Sequence, residues 1–458
     1  MNTALKDFFT APLPRAVYAG YRRIFSVHEI ETSKTLQWLF GAMLLFFYAT
    51  FYDWIGSSLL TKDTPAVCWP YFTNCNALHF LSYLPYGYSQ TTFYMLLFGV
   101  MLLIVYSMYK KWWTLAHVLM VLLWLWKTYA SFVLSWSISG VYDYYHIILT
   151  AGLLFIPHKE YFTKVGFVLL YFLSSTIKFY PSWVLGTYFT SLKLGLPLLP
   201  QSLTVFWTAS VIFSQIIGCW FLLSGNRVLQ RIAVVYYTIF HLYSGVLVRY
   251  PYPTITEPTL LILFGPLYRH QRPPLRKTAI AGWIFLALIF LFQTPVHFIN
   301  GDEKLTMEGY RFGMWMFDAN HQCISTFTQY YASGDGLATS TFALRPQDAC
   351  VGQMCVTKRV TKDVSGQWMT VTRVESPRGE VRCAPYTVWQ EHMDLCAQRG
   401  VTHVAFTFDH SVNGGPFYRV VDEQNMCNLT FNPFAHNDWI HEPPQAPIVG
   451  YPVEDTYY

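Results

Sequence analysis

Four ionisable side chains lie within or beside apolar stretches of the sequence, where they could transfer protons. Lys178 ends one stretch in SSTIKFYPSWVLGTYF (174–189), His146 begins another after YDYY, His241 lies late in a third, and Glu257 starts a fourth. An amine beside apolar walls is more easily kept neutral, so a lysine there can act as a general base. A lysine can also extend its stem towards lipid headgroups, and a histidine can join two helices by a hydrogen bond. The residues alone leave both interpretations open.

The composition is typical of a membrane protein. Of 458 residues, 53% are hydrophobic and 19% aromatic, while 12% are charged, against roughly 25% charged residues in soluble domains. The net charge of +5 comes from basic residues that are spread over short connecting segments, which gives no support for nucleic acid as a partner. Motifs of nucleotide-binding loops, zinc proteases and serine hydrolases are absent, which argues against these classes.

Nine apolar stretches are long enough, or nearly so, to cross a bilayer. They are 36–56, 91–109, 114–136, 142–157, 162–179, 201–223, 229–249, 254–268 and 278–298. The fourth and eighth are short, which leaves the count open by one or two. The segment 183–199 has the composition of an interfacial or re-entrant piece.

Basic residues alternate along the connections between these stretches. They concentrate in the N-terminal arm and in every second connection: Arg15, Arg22, Arg23, Lys34, Lys110, Lys111, Lys159, Lys164, Arg227, Arg231, Arg269, Arg272, Arg276 and Lys277. The other connections hold only Lys62, Lys193 and Arg249. This alternation follows the positive-inside rule for nine spans, with the N-terminus on the positive side and residues 299–458 on the opposite side.

The chain divides into four parts by composition. We predict an N-terminal arm (1–34) on the positive side, a transmembrane bundle (35–298), an outer soluble Cys-rich domain (299–440) and a Pro-rich tail (441–458). The outer part contains strand-like runs such as QWMTVTRV and THVAFTF, the turn signal VNGG and a helical stretch near 386–399;. The predicted fold is an α-helical polytopic membrane bundle of about nine spans with a disulfide-containing α+β or mainly β domain on the outer (lumenal or intermembrane) side.

Eight of the nine cysteines fall on the predicted outer side, while Cys219 lies in a predicted span. The eight are Cys68, Cys75, Cys323, Cys350, Cys355, Cys383, Cys396 and Cys427. Such a distribution favours disulfides in an oxidising space, with their connectivity open. Zinc would compete for these thiols, but paired CxxC spacings are missing, so no metal site is predicted. Asn428 begins an Asn-Leu-Thr sequon and is a glycosylation candidate.

Several segments around the ionisable residues resemble the vitamin K-dependent γ-carboxylase family. In the bundle these segments are STIKFYPSWVLGTYF, YDYYHIILTAGLLF and FHLYSG. In the outer part, VWQEHMDLCAQRGVTHVAFTFDHSVNGGPFYRVVDE is similar to the family's helix followed by a strand hairpin. The resemblance covers the chain from the first span to about residue 440 and extends to the broader set of proteins with a horizontally transferred transmembrane domain.

The resemblance implies a reaction and roles for individual residues. In such carboxylases a lysine deprotonates vitamin K hydroquinone, and oxygen converts the quinol to a strong base. That base removes the γ-proton of a protein glutamate, and carbon dioxide adds to the carbanion. By this resemblance Lys178 is the base, and His146 and His241 orient quinone oxygens. The expected quinone or lipid pocket is lined by Tyr145, Ser244, Glu257 and Trp183.

The sequence also departs from the family pattern. Tyr145 stands where the carboxylases usually have an asparagine before the first histidine, and Ser244 replaces the asparagine three residues after the second. In RFGMWMF (311–317), Gly313 and Met314 fall outside the pattern. Loss of the amides removes hydrogen bonds that would position a quinone and stabilise an oxyanion.

Two functions of different class follow from these observations. In the first, the chain is a catalytically divergent accessory or structural subunit of a larger organellar membrane complex, with lipids and protein partners bound. In the second, it is a quinol- and oxygen-dependent carboxylase acting on glutamate, with vitamin K hydroquinone or another quinol as cofactor. A lipid- or quinone-binding transporter is a third possibility. The predicted location is an organelle membrane (mitochondrial inner membrane or endoplasmic reticulum), with the C-terminal domain on the oxidising side, and the lost amides favour the accessory role.

Overall fold

The computed structural model describes thirteen segments of the chain. They are residues 12–55, 88–133, 141–190, 196–247, 252–294, 297–299, 303–309, 321–333, 336–351, 354–362, 368–375, 383–413 and 415–442. The N-terminal part contains α1 (Pro12–Ile24), α2 (Val27–Thr32), α3 (Lys34–Ile55), α4 (Tyr88–Tyr109), α5 (Trp113–Val133), α6 (Val141–Phe155), α7 (Lys159–Thr176), α8 (Pro181–Val184), α9 (Thr187–Thr190), α10 (Thr204–Ile216), α11 (Arg227–Leu242), α12 (Pro253–Phe264) and α13 (Ile280–Gln293). Short 3-10 helices cover Gln201–Leu203, Gly218–Leu223 and Lys277–Ala279, and a π-helical turn covers Tyr243–Leu247.

The C-terminal part is built mainly from strands. Its elements are α14 (Glu303–Thr306), β1 (His321–Ser333), β2 (Gly336–Val351), β3 (Met354–Lys362), β4 (Trp368–Glu375), α15 (Pro385–Glu391), β5 (Val401–Val412) and β6 (Tyr418–Glu423). Two 3-10 helices, Met393–Ala397 and Met426–Asn428, follow α15 and β6.

Every one of the nine apolar stretches contains a helix in its described residues, namely α3 to α7 and α10 to α13. Among the described residues, two helical segments, Lys34–Tyr52 and Thr91–Tyr109, are long and apolar enough to cross a membrane by length and composition. Pro253–Phe264 and Lys277–Gln293 are shorter apolar helices. The predicted helical character of the apolar stretches is therefore confirmed in their described residues. The two candidate spans give weak support for a membrane location.

The helical part is held together by apolar residues at helical spacing. In α3, the side chains of Leu36, Leu39, Phe40, Met43 and Phe47 are at most 1% exposed, and their spacing places them on one face. Burial of such a side chain contributes about 1.5–3 kcal/mol. Because α7 contacts α6, α10 and α13, it occupies the centre of the bundle and can present polar groups to several helices.

The six strands form one antiparallel sheet in the order β4-β3-β2-β1-β5-β6. The central strand β1 places Phe327 opposite Phe342 of β2 and Phe406 of β5. Phe327 and Phe406 are fully buried and share a core with Leu395, which follows α15. The predicted α+β character of this part, with a helix near 386–399 and strands at both quoted runs, is confirmed.

Two disulfide bonds lie in this part, Cys323–Cys383 and Cys396–Cys427. They attach the helical segment around α15 to β1 and to the turn after β6, which confirms four of the eight predicted disulfide cysteines. Cys219 is a buried free thiol. The other four lie outside what the structure describes: Cys68 and Cys75 entirely, and Cys350 and Cys355 in their side chains, although their backbones pair between β2 and β3.

The strand part contacts the end of α7 through the segment that contains α14. Ile177 directly follows α7 and lies in the same apolar core as Leu305, and Lys304 Nζ donates to the Ile177 carbonyl at 3.4 Å. Two residues after Thr306, the buried Glu308 accepts hydrogen bonds from the backbone and side-chain nitrogens of Asn437, both at 2.8 Å. Burial raises the pKa of Glu308, and these hydrogen bonds oppose the shift. The C-terminal part of the chain therefore contacts the helical part at Ile177, next to Lys178.

Candidate functional site

One face of α7 carries a stripe of polar residues that continues past its end. Tyr171, Ser174 and Lys178 are spaced at i, i+3 and i+7, which aligns them on one side of the helix, and all three are buried. Tyr145 of α6 faces this stripe, because its hydroxyl contacts the Leu170 carbonyl at 3.5 Å and its side chain also interacts with Ser174. The structure thus brings Lys178 and Tyr145 to the same face of α7.

Lys178 caps the C-terminus of α7. Its Nζ donates to the Ser174 carbonyl at 2.6 Å and lies 5.4 Å from the centre of the Trp183 ring. The last carbonyls of a helix have no partner within it, and a lysine near the end can supply one. Pro181 begins α8 immediately afterwards and returns Trp183 towards the ammonium. With 2% exposure, the lysine does not reach out to solvent or headgroups.

His146 belongs to a second, fully buried cluster. Lys127 Nζ lies 2.8 Å from His146 Nδ1, 2.8 Å from Thr50 Oγ1 and 2.6 Å from Asp143 Oδ1. An ammonium has three protons to donate, and these three acceptors use them. His146 Nδ1 therefore accepts, and its Nε2–H donates to the Met43 carbonyl at 3.0 Å. The hydrogen-bond pattern assigns a neutral imidazole with both nitrogens engaged.

His146 and Tyr145 face different neighbours although they are adjacent in the chain. Successive residues of an α-helix are rotated by about 100° around its axis. The His146 ring lies 4.4 Å from the Phe47 ring of α3, whereas Tyr145 faces α7. The resemblance implies that Lys178, His146 and His241 act on one quinone, but the structure places His146 against α3 and α5 and not on the face of α7 that leads to Lys178.

His241 connects α7 with α12. Its Nε2 lies 2.5 Å from the Tyr171 hydroxyl, and its Nδ1 lies 2.9 Å from Glu257 Oε2. The carboxylate accepts the Nδ1 proton, so Nε2 accepts from the phenol and the ring is neutral. Phenol, imidazole and carboxylate in this order resemble an acid–base relay, in which the imidazole takes a proton and the carboxylate stabilises the resulting charge. Around the relay, the Tyr237 ring lies 4.6 Å from the Tyr171 ring.

Tyr171 is a site residue that sequence reasoning missed. Its spacing from Lys178 at i and i+7 on α7 is the signal that could have identified it. Ser244 lies buried in the π-helical turn after α11, a local geometry that is frequent near functional sites. Glu257, which the resemblance places in the lining of the expected pocket, is bound to His241.

A further pair of buried histidines lies in the strand part. His321 Nδ1 donates to His410 Nε2 at 3.0 Å, and His410 Nδ1 donates to the Leu305 carbonyl at 2.5 Å. Burial is the main cause that lowers the pKa of each ring to about 3, and the nearby Lys304 contributes to the shift of His321. Both rings are therefore neutral and connect β1, β5 and the α14 segment. Asn428, the glycosylation candidate, is exposed.

Within the described segments, no group of three or more His, Cys, Asp or Glu side chains is arranged to hold a metal ion. No protein-family model, curated protein or solved structure matches the chain.

Proposed function

We propose that the chain is an integral membrane protein with a vitamin K-dependent γ-carboxylase-like fold that serves as a non-catalytic accessory or structural subunit of a larger organellar membrane complex. In this proposal the nine helical stretches cross the bilayer and the disulfide-containing part lies on the oxidising side. The alternating basic connections and the two candidate spans support the membrane location;. The two disulfides support an oxidising compartment;.

An exposed apolar face of α11 further supports this environment. It consists of Val228, Ile232, Val235, Ile239 and Leu242, which are 53–65% exposed. Contiguous apolar surface of this kind is rare on soluble monomers and is typical of a surface covered by lipid or by another protein.

The observation that carries the non-catalytic assignment is the engagement of all three family positions by the protein itself. Lys178 donates to a carbonyl of its own helix. The single N–H of each neutral histidine is also used, by a backbone carbonyl for His146 and by a carboxylate for His241. A quinone oxygen needs a hydrogen-bond donor, and the single N–H of each of these histidines already has an acceptor within the protein. The side chains therefore stabilise the bundle, which is the role expected of an accessory subunit.

One observation favours the second function, carboxylation of glutamate with Lys178 as base. The phenol–imidazole–carboxylate order at Tyr171 has the arrangement of an acid–base relay, and it shares a helix face with Lys178. The donor set nevertheless fits vitamin K hydroquinone or another quinol poorly, because Tyr145 and Ser244 replace the two amides.

A direct assay separates the two functions. The purified full chain, in lipid vesicles with vitamin K hydroquinone, oxygen, bicarbonate and a glutamate peptide, is expected to form neither quinone epoxide nor carboxylated peptide. An active carboxylase in the same vesicles is the positive control. Epoxide that forms with the parent chain, disappears in Lys178→Ala and persists in Lys164→Ala, which removes a lysine at the other end of α7, would overturn the proposal.

The accessory role has its own test. Gentle detergent extraction from the native membrane is expected to release the chain in a particle of constant subunit composition. Recovery of the chain as a lone monomer under conditions that preserve other membrane complexes would contradict this role.

A further inference from the structure

The connection between α4 and α5 presents two lysines among exposed aromatic rings. α4 ends at Tyr109, Lys111 adopts a φ of 60°, and α5 begins two residues later, so the chain reverses tightly. Lys110 Nζ lies 5.2 Å from the centre of the Tyr109 ring and 5.7 Å from that of the Tyr106 ring. Tyr109 is 77% exposed and Trp112 is 43% exposed. Basic and aromatic side chains in this combination are typical of a membrane–water interface.

Helix α1 is fixed beside this connection by hydrogen bonds. Arg22 Nη1 donates to Thr114 Oγ1, in the first turn of α5, at 3.3 Å. The Tyr21 hydroxyl donates to His117 Nδ1 at 2.7 Å, and His117 Nε2 donates to the Leu154 carbonyl at 3.0 Å. These contacts hold the last turn of α1 against the start of α5, next to the two lysines.

Three cations near the α4–α5 connection are exposed, and the carboxylates of the neighbouring helix α2 are bound to other groups. Arg22 is paired with Glu31 at 2.5 Å, and Glu29 accepts two backbone N–H groups at the start of α7, both at 2.8 Å. Both carboxylates of α2 are thus engaged by other groups. Arg23, Lys110 and Lys111 are exposed and form what we call the basic corner. Anions from outside the chain are the complementary partners of this corner.

We propose that the basic corner binds the phosphate groups of anionic phospholipids in the surrounding leaflet; this inference rests on the membrane location proposed above. Exposed apolar and aromatic side chains belong to the same elements as the cations: α1, which carries Arg23, also exposes Val17, Tyr18 and Ile24, and Lys110 lies against the exposed Tyr109 ring. A surface on which charged side chains adjoin apolar ones suits the boundary between the lipid headgroups and the acyl chains. The alternation of basic connections also assigns the corner to the positive side, where anionic lipids attract basic segments.

The test uses the purified full chain in detergent, with native mass spectrometry as the readout. Phosphatidylglycerol and phosphatidylcholine are added at equal concentration, and preferential retention of phosphatidylglycerol is expected. Each cation near an anionic surface is worth about fivefold in affinity. Lys110→Gln combined with Lys111→Gln is therefore expected to weaken phosphatidylglycerol binding more than tenfold and to leave phosphatidylcholine binding unchanged.

A matched control replaces two exposed cations elsewhere on the positive side. Arg276→Gln combined with Lys277→Gln, in the α12–α13 connection, is expected to retain the parent affinity. Equal weakening in both double variants would indicate diffuse surface charge and overturn the basic corner as a site. Displacement of the lipid by an equal concentration of inorganic phosphate would likewise overturn the assignment to phospholipid.

Vesicle reconstitution separates this inference from the membrane proposal. A chain that enters vesicles and resists alkaline extraction, but shows no preference for phosphatidylglycerol, contradicts only the basic corner. A chain that fails to enter vesicles of either lipid contradicts the membrane location itself.

Discussion

Lys127→Met is expected to destabilise the helical part strongly, because it removes the cation of a fully buried ion pair. The side chains of Lys127 and Asp143 are both 0% exposed, and their charged atoms lie 2.6 Å apart. Without the ammonium, the carboxylate is left buried without a counter-charge, and Thr50 and His146 lose a donor. Removing one partner of a buried ion pair costs about 3–5 kcal/mol. For a unit of the bundle's size this corresponds to a melting temperature lower by roughly 5–10 °C.

The assay is thermal unfolding of the purified chain in detergent, followed by circular dichroism. Replacing the complete pair with apolar residues of similar volume is nearly neutral or stabilising, so Lys127→Met combined with Asp143→Leu is expected to recover most of the loss. Asp422→Asn is the surface control, because Asp422 lies 3.8 Å from Arg419 and the two side chains are 48% and 33% exposed. Such a pair contributes about 0–1 kcal/mol.

Two results would refute this reasoning. The first is a Lys127→Met variant that melts within about 1 °C of the parent, since that would mean the ammonium contributes little. The second is a double variant that is no more stable than Lys127→Met. That result would show that the loss of stability does not arise from the Asp143 carboxylate left buried without its counter-charge.

Two further predictions concern pH and close packing. Burial lowers the pKa of His321 and His410 to about 3, whereas the unfolded chain protonates histidine near pH 6.5. Between these two pH values the unfolded state binds more protons than the folded state, so the stability of the strand part is greatest above about pH 6.5 and falls as the pH is lowered towards 3. Denaturant titrations across this range measure the free energy of unfolding. Replacing both histidines with glutamine is expected to reduce its dependence on pH. In α13, a Cβ on Gly282 would lie 2.1 Å from the Phe162 ring of α7, whereas a Cβ on Gly99 meets nothing within 4 Å. Thermal melts are therefore expected to show a loss of about 1–3 kcal/mol for Gly282→Ala and no loss for Gly99→Ala; equal melting of the two glycine variants, or a pH-independent strand part, would contradict the respective prediction.

Helix boundaries show where sequence reasoning reached its limit. The fifth apolar stretch predicts a helix over 162–179, whereas α7 covers Lys159–Thr176. Its start is earlier because the Glu29 carboxylate, from a distant part of the chain, binds two backbone N–H groups there. The stretch at 201–223 likewise contains α10, which ends at Ile216, followed by a 3-10 helix. The periodicity of apolar residues predicts where a helix lies, but it carries no information about the tertiary contacts that set where the helix begins and ends.

The candidate site was likewise predictable from the sequence only in part. Lys178, His146 and His241 could be selected from the sequence because an ionisable residue in an apolar stretch is costly and needs a partner. The pairing of the two histidines could not be predicted, because Tyr171 and Glu257 lie on other helices than His241, and the partner of His146 also comes from another helix.

Local periodicity, turn residues and composition predict the helical character of the nine apolar stretches, the strand-rich C-terminal part and the cysteines available for disulfides, but not how the cysteines pair. Packing is what places His146 in the Lys127 cluster and His241 beside Tyr171, on the face that leads to Lys178. These contacts depend on the rotation between successive helical residues and on which helices are neighbours. Periodicity assigns a side chain to a face, and only packing decides which helix that face meets.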